Sequence, residues 1–218
     1  IAIFAVVVIV GFTLTLFIRK SALKTNRLDV PNERSSHTSP TPRGAGLAVV
    51  VAFLLGLIAL LVDNTISDEV FLAIAIPGLI VAIIGWLDDR GHLTSAKWRL
   101  IGHFACASLA VWLTGGLPEL PLVNSTIDFG LAGNIAAVVY LVWMLNLFNF
   151  MDGIDLITGV QTVTTSVGVA MLLLISTESD HWKIFAIMTA SILGFLFFNL
   201  PPAKIFLGDV GSGFIGFT

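Results

Sequence analysis

Between Asn146 and Asp155 the sequence NLFNFMDGID places two amides and two carboxylates directly after a long apolar run. A charged side chain beside a membrane-grade segment is expensive unless it faces a cavity, a partner or water, so such residues mark function by default. Two more acidic sites occupy equivalent places. Asp88-Asp89 follows Gly85-Trp86-Leu87, and Asp209 sits within Phe206-Leu207-Gly208-Asp209-Val210-Gly211-Ser212-Gly213. Adjacent carboxylates are able to hold a divalent cation or to take a proton from a substrate; they also serve as a solvated pair closing a helix. Asn149, Asp152 and Asp155 recur every three residues, which on a helical turn gives them one face. Oxygen ligands of this kind suit Mg²⁺, which keeps several waters and borrows substrate phosphates. Asp152 and Asp155 serve equally as caps of the next helix. Around Asp209, glycines let backbone amides approach a ligand and a helix N-terminus attracts phosphate, unless the Asp is simply a cap.

Basic and hydroxyl groups gather in the first polar loop: Arg27, Arg34, Ser35, Ser36, His37, Thr41 and Arg43. Such a set binds phosphate or anchors to anionic lipid headgroups, and Lys97 and Arg99 carry the same two readings. His92 and His103 show no zinc-like spacing and read as hydrogen-bonded or interfacial residues. The single cysteine, Cys106, excludes an intramolecular disulfide and reads as a small buried hydrophobe.

The elements that must position these groups are membrane helices. The chain is 56% hydrophobic and only 11% charged, against roughly 25% charged in soluble domains. Apolar runs predict spans over residues 1–18, Gly46 to Val62, Val70 to Leu87 with Pro77 as a tolerated kink, Trp98 to Thr114, Leu131 to Leu147, Ile157 to Ile175 and Lys183 to Phe198. The expected fold is all-α, a polytopic transmembrane bundle of about seven full spans plus a truncated eighth. The last run is nine residues long, from Val210 to Thr218, or about 13 Å of helix against a hydrocarbon core of about 30 Å. Residues 1–218 therefore read as a single membrane domain, cut at both ends from a longer protein.

Loops alternating between two sides allow the basic residues to be counted by side. Arg19, Lys20, Lys24, Arg27, Arg34, Arg43, Arg90, Lys97, Arg99 and Lys204 fall on one side, and only Lys183 falls on the other. The first side is predicted to be cytoplasmic and the N-terminus outside. Asp88, Asp89, Asp152, Asp155 and Asp209 all lie at cytoplasmic helix ends.

Four segments resemble, in order, the polyprenyl-phosphate N-acetylhexosamine-1-phosphate transferases, the superfamily of WecA-type and MraY-type enzymes. They are Asp29 to His37 with Thr41-Pro42-Arg43-Gly44, Gly85 to Asp89, Asn146 to Asp155, and Asn199 to Ser212. The first is closest to the WbpL-like branch, which starts lipopolysaccharide O-antigen synthesis. The resemblance implies transfer of a sugar 1-phosphate from a UDP-activated amino sugar to undecaprenyl phosphate, releasing UMP, as a first membrane step of cell-envelope polysaccharide synthesis. It implies Mg²⁺, with Mn²⁺ as a substitute, in the bacterial inner membrane with the active site on the cytoplasmic face. It implies no nucleic-acid partner and is compatible with a homodimer. Carried over by motif, Asn149 and Asp209 are metal-site residues, and Asp88 and Asp89 handle the lipid phosphate. Asp152 and Asp155 match catalytic-motif aspartates with a partly structural role. Lys97 fits a phosphate-contacting lysine, and Arg34, His37, Thr41 and Arg43 belong to the substrate-binding set. Leu156 stands where the family usually has a glycine, and Ala45 interrupts its paired glycines.

Rival classes make different demands. An ion-coupled transporter would place its aspartates near the midplane in broken helices. An intramembrane aspartyl protease would bury a pair of them there. A UbiA-type prenyltransferase would show Asp-x-x-x-Asp patterns, which are missing here.

Overall fold

The computed structural model describes residues 2–26, 28–29, 31, 39–92, 95–122, 125–176 and 180–218. Among them are eight α-helices: α1 (Ala2–Lys24), α2 (Gly46–Val62), α3 (Asp68–Asp89), α4 (Ala96–Leu113), α5 (Gly130–Met151), α6 (Ile157–Ser176), α7 (Trp182–Asn199) and α8 (Asp209–Phe217). The all-α bundle expected from the apolar runs is the fold observed. Five helices (α1, α3, α5, α6 and α7) are long and apolar enough to cross a bilayer. At 17 residues α2 is a little shorter, and α4 carries Lys97, Arg99 and His103 in its first half, which lowers its apolarity. The chain is a multi-pass membrane protein.

Helix ends differ from expectation in ways that matter for chemistry. Helix α3 starts at Asp68, where Ser67 Oγ accepts the Val70 amide at 3.3 Å, and it runs on through Asp88 and Asp89. Helix α5 continues to Met151, so Asn146 and Asn149 lie on its last two turns. It stops there, and Asp152 becomes its C-cap. Two residue pairs, β1 (Leu28–Asp29) and β2 (Thr41–Pro42), form a short antiparallel ladder with Leu28 opposite Pro42. A second such ladder joins β3 (Leu120–Pro121) to β4 (Thr126–Ile127).

The bundle is built around α8. Val210, Gly211, Ser212, Gly213, Phe214, Ile215 and Phe217 of α8 are all buried, enclosed by α2, α3 and α5. Phe214 meets Phe53 of α2 edge-on, with centroids 5.6 Å apart. On the far side α1 and α6 pack against α7, and α4 closes the other flank against α3 and α5. The large exposed hydrophobics, such as Val62, Trp112 and Ile175, lie on the outer helix faces, as expected where the solvent is lipid rather than water.

Helices pack in a membrane by close backbone approach through small residues, because lipid tails are as apolar as the side chains. Gly46 and Gly211 are the clearest case: a Cβ on Gly46 would lie 2.3 Å from the backbone of Gly211, and one on Gly211 would lie 2.5 Å from the Gly46 Cα. Gly46→Ala is therefore expected to force α8 away from α2 and to destabilise the bundle by roughly 3 kcal/mol. Gly168, on α6, has nothing within 4 Å of its would-be Cβ, so Gly168→Ala should be neutral or stabilise by up to about 1 kcal/mol. Thermal unfolding of the two variants in detergent compares them; equal melting temperatures would show that the Gly46–Gly211 contact does not hold α8.

Candidate active site

Two loops meet at the N-terminus of α8. The Phe206 amide donates to Pro42 O at 2.8 Å, Gly44 and Ala45 donate to Phe206 O at 3.1 and 3.0 Å, and the Gly46 amide donates to Leu207 O at 2.8 Å. This zipper of backbone bonds brings Arg43 over the first turn of α8. There its guanidinium pairs with Asp209 and, at 3.0 Å, with Asp89.

The first amides of any helix lack partners within the helix. In α8 they are met by carboxylates from other helices. Asp89 Oδ1 accepts the Asp209 amide at 3.0 Å, and Asp89 Oδ2 accepts the Val210 amide at 3.2 Å. Asp152 Oδ2 accepts the Gly208 amide at 3.1 Å. Gly208 has φ 79°, a left-handed conformation that favours glycine. A Cβ there would also lie 2.8 Å from Asp89 Oδ2. Asp155 lies further along, where its Oδ2 accepts the Ala203 amide at 2.9 Å. Asn149, Asp152 and Asp155 thus do not share one helical face. The helix ends at Met151; Asp152 and Asp155 reach the segment leading into α8, at Gly208 and Ala203, whereas Asn149 reaches Ser212 within α8 itself.

Leu156, at the usual glycine position of that turn, has φ 68°. Asn199 at the end of α7 holds it there, accepting the Leu156 amide at 2.8 Å while its own Nδ2 donates to Ile205 O at 3.2 Å. One buried amide side chain therefore ties the loop before α6 to the loop before α8.

Asp88 and Asp209 face a different way. Both line a cavity of about 210 Å³ between α3, α4, α5 and α8, together with Arg99, His103, Asn146 and Asn149. Arg99 pairs with Asp88, and its guanidinium lies 3.7 Å from Asp209. The Asp88 and Asp209 carboxyl groups lie side by side at the cavity, and the Asn149 amide adjoins Asp209 while donating to Ser212 Oγ at 3.1 Å. Two carboxyls side by side repel when both are ionised, and a proton or a cation between them relieves this. With the Asn149 amide they make an oxygen-bearing donor set of the kind Mg²⁺ takes. Among the described residues no three His, Cys, Asp or Glu side chains surround a common point. The protein would supply only part of a coordination shell, leaving the rest to water and phosphate.

The remaining sequence-predicted residues fall elsewhere. Thr41 is buried in the β1–β2 ladder, its hydroxyl donating to Ser39 O at 3.0 Å. Lys97 is exposed on the first turn of α4 and does not line the cavity. Arg34 and His37 lie outside the described residues. Sequence reasoning grouped Arg99 with Lys97 and set His103 aside. The missed signal is a helical stripe: Ala96, Arg99, Leu100 and His103 recur at spacings of three and four and together line the cavity, whereas Lys97 falls off that face.

Burial raises the Asp152 carboxyl from an ordinary 3.8 to about 7, against the Gly208 N–H, which favours its ionised form. Burial also works against the charge of Arg43, yet Asp89, Asp209 and the other carboxylates around it hold its pKa above the ordinary value. A raised carboxyl pKa means that the folded protein holds a proton the unfolded chain has released, so stability declines as pH climbs from about 4 to about 7. Wild-type protein is expected to melt at a lower temperature at pH 7.5 than at pH 5, with a shallower decline in Asp152→Asn. Identical pH profiles for the two would remove Asp152 as the group responsible.

Residues 70–218 match the sequence profile of Glycosyl transferase family 4. The chain is 29% identical over 220 residues to a probable undecaprenyl-phosphate N-acetylglucosaminyl 1-phosphate transferase of Bacillus subtilis, covering 99% of this chain and 60% of that protein. It is 32% identical over 215 residues to a decaprenyl-phosphate N-acetylglucosaminephosphotransferase of Mycobacterium leprae, covering 88% and 53%. With a phospho-N-acetylmuramoyl-pentapeptide-transferase of Streptococcus pneumoniae the figures are 27% over 215 residues, 92% and 64%. The chain thus spans between 53% and 64% of the length of these relatives. Because the family profile runs through more than half of the chain and takes in Asp88, Asn149 and Asp209, the chain belongs to glycosyl transferase family 4.

Proposed function

We propose that the protein carrying this chain transfers an N-acetylhexosamine 1-phosphate from a UDP-sugar to undecaprenyl phosphate, giving a polyprenyl-diphosphate sugar and UMP. The observation that carries this reading is the meeting of Asp88, Asp209, Asn149 and Arg99 around one cavity at the ends of spanning helices. The relatives' names agree with it. The placement of these aspartates at helix ends does not suit a transporter or an intramembrane protease.

The reaction is a phosphoryl transfer, in which catalysis is mostly positioning and charge stabilisation. An oxygen of the lipid phosphate attacks the phosphorus that bears the sugar, and the bond from that phosphorus to the bridging oxygen breaks as UMP leaves. A phosphate monoester has its second pKa near about 6, so the attacking group is largely dianionic at neutral pH and needs little help from a base. Direct attack is favoured over an aspartyl intermediate. Asp89 supports this, because both of its oxygens are engaged by α8 and Arg43, and it therefore positions rather than reacts. Asp88 faces the cavity. Mg²⁺ held by Asp88, Asp209 and Asn149 would neutralise diphosphate charge and stabilise the leaving oxygen. Arg99 and Arg43 supply fixed positive charge on either side of Asp209. The excess of basic residues at this end of the helices supports a site on the cytoplasmic face, with the N-terminus outside. Cysteine placed at His92 should then resist an impermeant reagent added to intact cells, whereas labelling there would invert the orientation.

Full-length protein in membranes should release UMP from a UDP-sugar only when undecaprenyl phosphate and Mg²⁺ are present. Asp209→Asn should lower the rate by on the order of 10²-fold or more, and Asn149→Ala should shift the Mg²⁺ response upward. Asp68→Asn, at the exposed start of α3 on the opposite side, should leave it unchanged. With equal membrane levels confirmed, wild-type activity and Mg²⁺ response in Asp209→Asn would sink the metal assignment.

A further inference from the structure

One side chain that lines the cavity carries a buried polar atom with no hydrogen-bond partner among the described residues. His103 lines the cavity on α4, and its Nδ1 is shut off from solvent with no hydrogen bond. Buried polar atoms in folded proteins nearly always find a partner, so an orphan on a side chain that lines a cavity calls for an explanation. Asn146 lines the same cavity from α5, and its Nδ2 donates to Val142 O at 2.7 Å. A side-chain amide carries two N–H donors, and the second is unclaimed by any bond within α5. Arg99 lies four residues before His103, on the same face of α4 and at the same cavity. Neutral imidazole, amide and guanidinium together offer hydrogen-bond donors, the pattern that receives phosphate oxygens. Val81, Ile84, Leu100 and Leu145 line the rest of the cavity, and an apolar wall strengthens each polar contact it surrounds.

Depth distinguishes the two phosphate-bearing substrates. His103 lies one helical turn, about 6 Å, further from the start of α4 than Arg99. Asn146 is likewise nearly one turn further from the end of α5 than Asn149. Both are therefore on the membrane side of the Asp88–Asp209 pair. A nucleotide sugar arrives from water and meets the carboxylate end first, whereas a lipid brings its phosphate from the bilayer side. Resting on the transferase reading above, we propose that His103 and Asn146, with Arg99, form the seat of the lipid acceptor's phosphate and hold it on the membrane side of the carboxylates. The imidazole donates one N–H to a phosphate oxygen, and the Asn146 amide donates its second.

The test varies undecaprenyl phosphate and UDP-sugar separately, with full-length protein in detergent and UMP release as the readout. His103→Leu, which removes the donor and leaves no buried orphan, should raise KM for the lipid about tenfold, the loss expected for one hydrogen bond to a charged group. KM for the UDP-sugar should stay within about twofold. His103→Gln returns an N–H and should restore most of the lipid affinity, which a merely structural role would not produce. Asn146→Asp keeps the volume but puts an acceptor where a donor is needed, and should raise the lipid KM at least as much. An unchanged lipid KM in folded His103→Leu or Asn146→Asp, or a shift confined to the UDP-sugar, overturns the seat and leaves the transferase reading intact. Wild-type protein with no lipid-dependent UMP release overturns the transferase reading itself, and the seat with it.

Discussion

Everything at the reactive end of this bundle depends on satisfying the free amides at the start of α8. A helix that begins inside a membrane protein, away from bulk water, cannot leave its first N–H groups unpaired, because each would cost several kcal/mol. Here the acceptors are carboxylates from α3 and from the cap of α5: Asp89 takes two amides and Asp152 takes one. Carboxylates are strong acceptors and complement the positive end of the helix dipole, but they bring negative charge into a half-buried place. Arg43 compensates, and the backbone zipper between residues 42–46 and 206–207 delivers it. The close Gly46–Gly211 approach lies directly under that zipper, so packing and electrostatics fix the same point.

The five acidic residues at these helix ends divide accordingly. Asp89, Asp152 and Asp155 accept backbone amides and hold loops in place. Asp88 and Asp209 turn to the cavity, where Arg99 rather than backbone amides faces them. A constellation that looks redundant in sequence is thus two constellations, one that builds the end of α8 and one that presents its charge. Neighbouring residues of one helix, Asp88 and Asp89, belong to different groups because successive side chains on a helix point about 100° apart.

Hydropathy made the helices legible, because membrane-grade apolar runs have few alternative folds, and the acidic residues at their ends stood out against so little charge. Cys106 is buried, as its apolar neighbours implied. The common face expected for Asn149, Asp152 and Asp155 was not legible: it assumed that the helix carried on, and α5 ends at Met151 on a sequence whose spacing fits either case. Nor could local pattern reveal that Asn199 supports Leu156 in a left-handed conformation, because that bond joins residues 43 positions apart. Lys97 and Arg99 are chemically alike in sequence. Only the face of α4 that packs on α3 and α5 separates them.

The central position of α8 has a consequence for assembly. Ribosomes deliver the chain from its N-terminus, so α2, α3 and α5 enter the bilayer before the helix they enclose exists. Until α8 arrives, the slot between them has no occupant, and Asp89 and Asp152 have no amides to accept. The earlier helices therefore form an unfinished container whose polar rim, at the helix ends, lacks its partners. Its closure waits on α8, slim enough at Gly211 and Gly213 to enter a space already bounded on three sides.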